Sequence, residues 1–281
     1  MKVLLTGANG QLGRCFQDRL PAGWQILATD SAELDITDLA QVTAAVSAFK
    51  PDAIVNAAAY TAVDKAESEV ALAERINAAG PANLASVAAQ HGIRLVHVST
   101  DYVFDGNANT PYTEASPTNP LSVYGETKLA GELAVSAAAP DAIIVRTAWV
   151  FSEYGNNFVK TMLRLGKERD ALSIVDDQRG CPTYAGDIAH AIIALLQQQA
   201  AGGIYHYAGD KEVSWFEFAQ AIFTVAVQKA VLNKAPTLTP ITTAQYPTPA
   251  HRPAYSTLAG DKIKGLGIAL SDWQSALNKT I

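Results

Sequence analysis

The chain of 281 residues is long enough to bury a large core, either in one α/β domain or in two unequal ones. Apolar residues make up 49% of it and charged residues 17%, which is typical of a globular protein and excludes a disordered one. The formal net charge of −6 leaves no basic footprint, so we expect a small metabolite as partner and neither nucleic acid nor an anionic membrane.

The few cysteine and histidine residues limit the metal sites and redox chemistry that the sequence could support. Cys15 and Cys181 lie far apart and lack metal-type spacing, and the five histidines form no cluster. We expect reduced thiols and no metal site, although a single disulfide stays open. No apolar run reaches the ~18 residues of a membrane span, and the opening "KVLLTG" is too short for a signal peptide. A cytoplasmic protein with no membrane partner is the resulting prediction.

The first half of the chain alternates between strand-like and helix-like segments. Short, continuously apolar runs predict five strands, each buried on both faces, over residues 2–6, 25–29, 52–57, 94–99 and 142–147. Helices are predicted between them over residues 10–20, 38–49, about 67–91 and 122–138. This alternation implies right-handed crossovers and a parallel, doubly wound sheet of the Rossmann type in an α/β fold.

Beyond Arg146 the alternation weakens. The pattern predicts helices over residues 157–168, 186–199 and 214–230 and one more strand over 203–209. The proline-rich stretch 234–256 is too irregular for core elements, so we expect an ordered coil of short strands and turns over a site. The predicted division is a Rossmann domain of residues 1–149 plus 184–209 and a smaller C-terminal lobe of residues 150–183 plus 210–281.

A glycine motif follows the first predicted strand. In "LLTGANGQLG", Gly7, Gly10 and Gly13 are spaced three residues apart at the start of a helix. Such a loop turns sharply, lets the backbone approach a pyrophosphate and packs the helix on the sheet. The helix N-terminus adds free N–H groups and the positive end of its dipole. A plain strand–helix turn is the alternative, but the position after a first strand favours a dinucleotide.

Acidic residues after the second strand agree with this interpretation. Asp30 follows the glycines by about 20 residues, where a carboxylate can accept hydrogen bonds from ribose hydroxyls. It would repel a 2′-phosphate and no Arg follows it directly, so the sequence favours NAD over NADP. The less favoured alternative is that Asp30 is a turn or cap residue. Asp35 and Ile36 could edge the adenine, and the alanines of "VNAAAYT" at 55–61 allow either a cofactor or a tight helix–sheet contact.

A tyrosine and a lysine four positions apart suggest the chemistry. Tyr124 and Lys128 stand in "VYGETKLAGE", but Tyr207 and Lys211 have the same spacing, so spacing alone decides nothing. A phenol of ordinary pKa ~10 is a poor acid–base group at neutral pH, whereas a neighbouring ammonium favours the phenolate. The hydroxyl of Thr100, at the end of the fourth strand, can stabilise or pass the proton. This combination suits protonation of an alkoxide as hydride arrives at a carbonyl carbon.

Small residues accompany the pair. Gly125, Ala130 and Gly131 lie on the same predicted helix, and we expect them to allow close approach of a ligand or of the sheet.

Together these motifs resemble the extended short-chain dehydrogenase/reductases. Longer strings from residue 3 to about 256 are similar to the dTDP-4-dehydrorhamnose reductase family within that group: "NAAAYTAVDKAE", "STDYVFDG", "LSVYGETKLAGE", "RTAWVF", "GNNFVKTMLRL" and "YPTPAHRP". The resemblance implies a dTDP-linked keto-sugar as substrate, whose 4-keto group is reduced with NADH or NADPH to give dTDP-L-rhamnose. It also assigns cofactor binding to the Rossmann domain and substrate binding to the C-terminal lobe.

The resemblance implies residue roles position by position. Tyr124 would donate the proton, Lys128 would bind the nicotinamide ribose and lower the tyrosine pKa, and Thr100 would tune that pKa. Trp149 would pack against the sugar, with Thr100 and Asp101 beside the substrate. The cofactor would contact Gly7, Gly10, Gln11, Leu12, Gly13, Asp30, Asp35, Ile36, Ala59, Tyr60, Thr61, Tyr124 and Lys128.

One departure from the family pattern concerns metal. Some members dimerise around a magnesium ion held by acidic side chains, one of them on the first helix. Here Arg14 and Cys15 stand where an acid would be needed, and Gly186 stands beside Asp187 in the matching loop. We therefore expect no metal, and either a monomer or a metal-independent homodimer.

Three other functions stay open. Sugar-nucleotide dehydratases need a carboxyl-type acid–base after the Thr-Asp pair, and Tyr102 stands there instead, which disfavours dehydration. An epimerase, which returns hydride to the other face of the sugar, is harder to exclude. A non-catalytic NAD(P)-binding regulatory subunit would be expected to lack the Tyr or the Lys, and both are present.

Overall fold

The computed structural model describes residues 1–281 as a central parallel sheet with helices on both faces and further helices and short strands on its C-terminal side. The strands are β1 (Lys2–Thr6), β2 (Gln25–Thr29), β3 (Ala53–Asn56), β4 (Arg94–Thr100), β5 (Ile143–Thr147), β6 (Val150–Phe151), β7 (Ala171–Val175), β8 (Arg179–Gly180), β9 (Thr183–Tyr184), β10 (Gly203–His206), β11 (Val213–Ser214) and β12 (Thr237–Ile241).

Eleven α-helices connect or cover these strands. They are α1 (Gln11–Asp18), α2 (Leu39–Phe49), α3 (Val63–Ala66), α4 (Val70–Glu74), α5 (Gly80–His91), α6 (Val123–Ala138), α7 (Phe158–Glu168), α8 (Ala185–Gln197), α9 (Trp215–Gln228), α10 (Asp261–Lys264) and α11 (Trp273–Thr280). No helix is both long enough and apolar enough to cross a lipid bilayer.

The main sheet has six parallel strands in the order β10-β5-β4-β3-β1-β2. The chain passes from β1 outward to β2 and then crosses back to β3 on the other side of β1. In such sheets, ligands bind at this switch point, outside the carboxyl ends of the strands. The predicted α/β class and doubly wound parallel sheet are confirmed, and the switch point lies where the glycine motif leaves β1.

Alternation along β1 places helices on both faces of the sheet. Leu5 packs in one core with Phe16 of α1 and Ile192 of α8. Leu4, pointing to the other face, packs in a second core with Val42 of α2 and Leu84 of α5. Helix α6 joins this second face through its buried Val135. Each face of the central strands is thus sealed from water, which explains their unbroken apolar runs.

Strand β2 departs from the prediction of burial on both faces. Gln25 is exposed, the three residues after it are half-buried, and only Thr29 is buried. The physical reason is position, since β2 is the edge of the sheet and pairs with β1 alone. An apolar run of five residues does not distinguish an edge strand from a central one.

The long helix predicted over about 67–91 is interrupted. A single π-helical turn, Arg75–Ala79, separates α4 from α5. The carbonyl oxygen of Asn77 in this turn faces Gly131 of α6, where a Cβ would approach it to 2.1 Å. Such turns often occur at functional sites, and this one packs the helix that bears Tyr124.

The C-terminal residues build a third core of their own. Its large buried side chains include Phe151, Phe218, Phe223 and Trp273, which come from β6, α9 and α11. The expected helices at 157–168, 186–199 and 214–230 and the strand at 203–209 all form near those positions. Within 234–256, β12 pairs with β7 and a 3₁₀ turn covers Thr243–Gln245. The exact boundaries of a two-domain division stay a prediction.

Candidate active site

A cavity of about 820 Å³ opens at the carboxyl ends of the central strands, at the switch point of the sheet. This volume lies within the ~300–1,000 Å³ typical of small-molecule and cofactor sites. Its lining brings together all but two of the residues that the sequence singled out. The members present are Gly7, Gly10, Gln11, Leu12, Asp30, Asp35, Ile36, Ala59, Thr61, Thr100, Asp101, Tyr124, Lys128 and Trp149.

The glycine loop needs its glycines for backbone reasons. Gly7 has φ +70°, and a Cβ there would lie 2.6 Å from the amide nitrogen of Ala58. Gly13 does not line the cavity, because it packs on the loop itself: its Cβ would lie 2.2 Å from the carbonyl oxygen of Gly7. No side chain caps α1 at Gly10, so the first-turn N–H groups have no intrahelical partner. This end of the cavity fits a pyrophosphate.

Asp30 and Asp35 accept hydrogen bonds within their own loops and also line the cavity. Asp30 accepts hydrogen bonds from the backbone N–H groups of Asn9 (3.0 Å) and Ser31 (2.7 Å). Asp35 accepts from both the backbone N–H (2.9 Å) and the hydroxyl (2.8 Å) of Thr37. Since both carboxylates also line the cavity, the turn role and a ribose- or base-binding role are compatible.

Tyr60 is the second predicted residue outside the cavity lining. Its backbone N–H donates to Asn77 Oδ1 (2.8 Å) and its carbonyl accepts from Asn77 Nδ2 (3.1 Å), while its hydroxyl donates to Glu69. The amide of Asn77 thereby fixes the loop whose neighbours Ala59 and Thr61 do line the cavity. Tyr60 supports this wall, and its predicted contact with the cofactor stays a prediction.

Helix α6 carries the Tyr–Lys pair to the cavity. Ser122 caps it by accepting from the backbone N–H of Gly125 (3.2 Å), after the turn at Pro120. Lys128 is only 2% exposed, and its Nζ donates to the carbonyl oxygen of Val98 (2.7 Å) at the end of β4. Tyr124 is half-buried, and its ring meets Tyr102 edge-on with centroids 5.3 Å apart.

Burial dominates the protonation of the pair. It raises the pKa of the Tyr124 phenol to about 12, against a lowering effect of the hydrogen bond with Thr100. It lowers the pKa of Lys128 to about 8, against a raising effect of the Glu132 carboxylate. The Lys128 ammonium is directed to the carbonyl oxygen of Val98, and its expected lowering effect on the pKa of Tyr124 stays a prediction.

Asp101 is a buried carboxyl beside the pair. It is 2% exposed, and its Oδ1 accepts from the Thr100 hydroxyl (3.0 Å). Burial raises its pKa to about 6, against the lowering effect of hydrogen bonds with Ser256 and Thr100. Asp101 also lines the cavity, where a carboxylate can accept a hydrogen bond from a ligand hydroxyl.

The second pair with the same spacing lies elsewhere. Tyr207 is buried in the core beneath the sheet, and the exposed Lys211 donates to Gln274 Oε1 (2.8 Å). Neither residue lines the cavity. Position in the fold, and not spacing, separates the two pairs.

The proline-rich stretch ties the C-terminal part to helix α3. Arg252 donates through Nη1 (3.0 Å) and Nη2 (2.8 Å) to the two carboxylate oxygens of Asp64. Further along, the carbonyl of Ala254 accepts from the backbone N–H of Arg179 (2.8 Å). The segment is therefore an ordered strap, anchored one residue from the cavity residue Val63.

An arginine at the end of α1 joins that helix to β9 and to the start of α8. Arg19 Nη2 donates to the Tyr184 hydroxyl (2.9 Å), which is also 3.0 Å from Glu153 Oε2. The guanidinium lies against Gly186, where a Cβ would approach Arg19 Nη2 to 2.4 Å. No group of three or more His, Cys, Asp or Glu side chains is placed to hold a metal ion. Cys15 and Cys181 are free thiols.

Comparison with known proteins places the chain in a family. A sequence model described as the RmlD substrate binding domain matches residues 1–281. A dTDP-4-dehydrorhamnose reductase of Aggregatibacter actinomycetemcomitans is 49% identical over 98% of this chain and 97% of its own length. The chain belongs to this reductase family.

Solved structures of relatives agree in fold. The crystal structure of a dTDP-4-dehydrorhamnose reductase from Clostridium acetobutylicum is 42% identical, covers 100% of this chain and 98% of its own, and superposes with a TM-score of 0.94. A Bacillus anthracis dTDP-4-dehydrorhamnose reductase in complex with NADP is 40% identical, covers 99% and 98%, and also has a TM-score of 0.94. The predicted resemblance to the reductase family is confirmed.

Sequence reasoning left part of the cavity wall unassigned. The lining residues that it did not assign to the site are Thr6, Ser31, Leu34, Thr37, Ala57, Ala58, Val63, Arg75, Ile76, Val98, Ser99, Tyr102, Thr147, Ala148, Val150, Gly155, Asn156 and Ile188. Those adjacent to a motif, such as Ser31 and Thr37, could have been found by contiguity. Asn156 lies in the string "GNNFVKTMLRL" that resembles the family, whereas Arg75 carries no local signal, because only long-range packing of the π-helical turn brings it to the cavity.

Proposed function

We propose that the chain reduces the 4-keto group of dTDP-6-deoxy-L-lyxo-4-hexulose to give dTDP-L-rhamnose, the last step of dTDP-rhamnose biosynthesis, with NADH or NADPH. The observation that carries this proposal is the placement of Tyr124, Lys128 and Thr100 on the wall of the one cavity that starts at the glycine turn. Family membership supports the same reaction, since curated relatives across the whole chain are dTDP-4-dehydrorhamnose reductases.

The residues present fit a nicotinamide dinucleotide. The uncapped N-terminus of α1 and the close approach allowed by Gly7 and Gly10 suit the pyrophosphate, and Asp30 suits the adenosine ribose. Asp35 and Ile36 would edge the adenine, and Ala59 and Thr61 would border the path across the sheet. When bound, the reduced nicotinamide supplies the hydride that is transferred to C4 of the sugar.

Tyr124 is the proposed proton donor to the C4 oxygen. Because burial holds its pKa near 12, the phenol is protonated at neutral pH and carries the proton that the reduction consumes. As the carbonyl gains hydride at carbon, negative charge develops on oxygen and the proton moves from Tyr124 to that oxygen. The Thr100 hydroxyl donates to Asp101 Oδ1 while Tyr124 keeps its proton, and it would turn to donate to the phenolate once that proton has left.

Lys128 and the substrate wall complete the assignment. The Lys128 ammonium donates to the carbonyl oxygen of Val98, one helical turn along α6 from Tyr124. It would bind the nicotinamide ribose and stabilise the phenolate. Trp149 would pack on the sugar ring, and Asp101 would accept a hydrogen bond from a sugar hydroxyl. The C-terminal lobe as a substrate-binding domain, a cytoplasmic location, and a monomer or metal-independent homodimer remain part of this proposal.

Tyr124→Phe tests the assigned chemistry. Loss of the general acid is expected to lower kcat by about 10²-fold or more, while the dissociation constant for NADH stays within about twofold. The matched control is Tyr207→Phe, which changes the tyrosine of the other Tyr–Lys pair and should leave kcat unchanged. Rates would be followed as NADH oxidation in the presence of the dTDP-keto-sugar.

Two results would contradict the proposal. Full activity of Tyr124→Phe would remove the proton-donor role. Conversion of the keto-sugar without consumption of NADH would indicate an epimerase that keeps its cofactor instead of a reductase.

A further inference from the structure

The cavity wall formed by Trp149 has an unusual backbone. Trp149 has φ +49°, in the left-handed region that a bulky residue rarely occupies. It lies between the buried Ala148 and the two-residue strand β6, and its side chain lines the cavity. A conformation of this kind persists only where the surrounding structure fixes it, and such residues gather at ligand sites.

A second tryptophan outside the cavity lining holds this side chain. Trp215, the first residue of α9, stacks on Trp149 with ring centroids 3.5 Å apart and planes within 4° of parallel. Gly180 lies against the edge of the same indole, where a Cβ would be 2.7 Å from both Cε2 and Nε1 of Trp149. Stacking on one face and a glycine at the edge together set the plane of the Trp149 ring.

Trp215 is itself held by independent contacts. Its Nε1 donates to Gln178 Oε1 (3.2 Å), and Gln178 Nε2 donates in turn to Thr243 Oγ1 (3.0 Å). The ring of Phe158 packs beside it with centroids 4.7 Å apart. The backbone at its base is fixed by the capping box of α9, in which Ser214 and Glu217 exchange hydrogen bonds.

We propose that Trp215 is a positioning residue for the substrate: it fixes the plane of the Trp149 indole that faces the keto-sugar. The inference rests on the proposed function, in which the sugar packs on Trp149. Without Trp215, the Trp149 side chain loses the stacking contact that holds its left-handed backbone conformation in place. The ring is then free to rotate out of the cavity wall. Binding of the sugar then carries the cost of ordering the ring, whereas the cofactor end of the cavity keeps its own contacts.

The test compares Trp215→Leu, Trp215→Phe and the matched control Trp273→Phe in the full chain. Trp273 is a buried tryptophan of the same C-terminal core whose ring packs edge-on against Phe218, whereas the ring stacked on Trp149 is that of Trp215, so Trp273→Phe reports general loosening of that core. Trp215→Leu should raise KM for the keto-sugar about tenfold while the dissociation constant for NADH changes less than about twofold, and Trp215→Phe, which keeps a stacking ring, should recover most of the loss. Trp273→Phe should leave both constants unchanged.

A spectroscopic measurement reports the ring pair directly. Two indoles stacked at this distance should give a coupled near-ultraviolet circular dichroism signal that disappears equally in Trp149→Phe and Trp215→Phe and persists in Trp273→Phe. Gly180→Ala should disturb this signal and raise KM for the keto-sugar, because the added Cβ collides with the indole edge.

The outcomes separate the two proposals. If wild-type protein does not reduce the keto-sugar, the proposed function is contradicted. Active wild type together with an unchanged KM in Trp215→Leu overturns the positioning role alone. Equal losses of affinity for NADH and for the keto-sugar in Trp215→Leu would also overturn it, because they would show general unfolding of the C-terminal part instead of a misplaced Trp149 ring.

Discussion

At the scale of single residues, the site sets two proton affinities in opposite directions. The pKa of Tyr124 rises to about 12 and that of Lys128 falls to about 8, and burial is the largest cause of both shifts. Removing water disfavours the charged form of either group, which is the phenolate in one case and the ammonium in the other. At neutral pH, the outcome is a phenol that still holds its proton beside a lysine that still holds its charge, as reduction of a carbonyl requires.

The lowered lysine pKa predicts an alkaline limit to activity. Below pH about 8 the ammonium of Lys128 is charged, and above it the charge is lost, so kcat/KM for NADH should fall about tenfold per pH unit above pH 8. A pH profile of kcat/KM, which reports the free enzyme, measures this limb. Lys128→Met should lack the limb at a much lower rate, whereas Lys211→Met, from the other Tyr–Lys pair, should keep it. A wild-type profile that stays level to pH 10 would contradict the assignment.

At the scale of elements, α6 is positioned by its glycines against neighbouring backbone. A Cβ at Gly131 would lie 2.1 Å from the carbonyl oxygen of Asn77, and one at Gly125 would lie 2.3 Å from that of Tyr102. The expected close approach to a ligand or to the sheet is therefore wrong for these two: the π-helical turn and the backbone after β4 come close instead. Ala130 is exposed. Close backbone contacts at these two glycines thus fix the depth at which Tyr124 and Lys128 enter the cavity.

Gly131→Ala tests this packing. Alanine alone would favour the helix by up to ~1 kcal/mol, but the collision with Asn77 should outweigh it and lower the free energy of unfolding by about 1–3 kcal/mol. Displacement of α6 should also lower kcat. The matched variant Ala130→Ser, one position earlier on the exposed face, should change stability by less than about 0.5 kcal/mol. Urea unfolding and steady-state rates measure both quantities, and a stabilised Gly131→Ala would show that the helices are not in close contact.

At the scale of the whole molecule, β10 returns the chain from the C-terminal part to the edge of the sheet. His206 on this strand is fully buried, its Nδ1 lies 3.0 Å from the carbonyl oxygen of Tyr112, and Arg146 on β5 is beside it. Arg146 in turn forms a buried ion pair with Glu132 of α6 (2.7 Å). This network joins the sheet, helix α6 and the segment after β4 that contains Tyr112, and burial together with Arg146 lowers the pKa of His206 to about 3.

The buried imidazole predicts a loss of stability in acid. Because the folded pKa is depressed below the unfolded value of 6.5, the unfolded state binds the extra proton, and stability falls as the pH drops from about 6.5 toward 3. Between pH 7 and 4, wild type should lose on the order of 2–3 kcal/mol more than His206→Gln. His91→Gln, at an exposed helix end, is the matched control and should follow wild type. Parallel pH dependences of wild type and His206→Gln would refute this account.

Much of the fold and the centre of the site followed from the sequence. The pair Tyr124 and Lys128 was told apart from Tyr207 and Lys211 only with the help of Thr100 and the glycine loop. The apolar runs located all five early strands to within about one residue, and the glycine loop was recognisable from residues a few positions away. These signals are local, since alternation, turn chemistry and helix starts depend on short stretches of chain.

What the tertiary structure alone decided is how separate stretches meet. The sequence by itself determined the strand order along the chain, the nucleotide-binding turn and the residue types for a carbonyl reduction. Only the folded chain made β2 an edge strand, removed Tyr60 from the cavity wall, stacked Trp215 on Trp149 and raised the pKa of Tyr124. Burial and contact depend on residues distant in sequence, so neither the desolvation of a phenol nor the partner of an indole is encoded in the local pattern that reveals a helix or a strand.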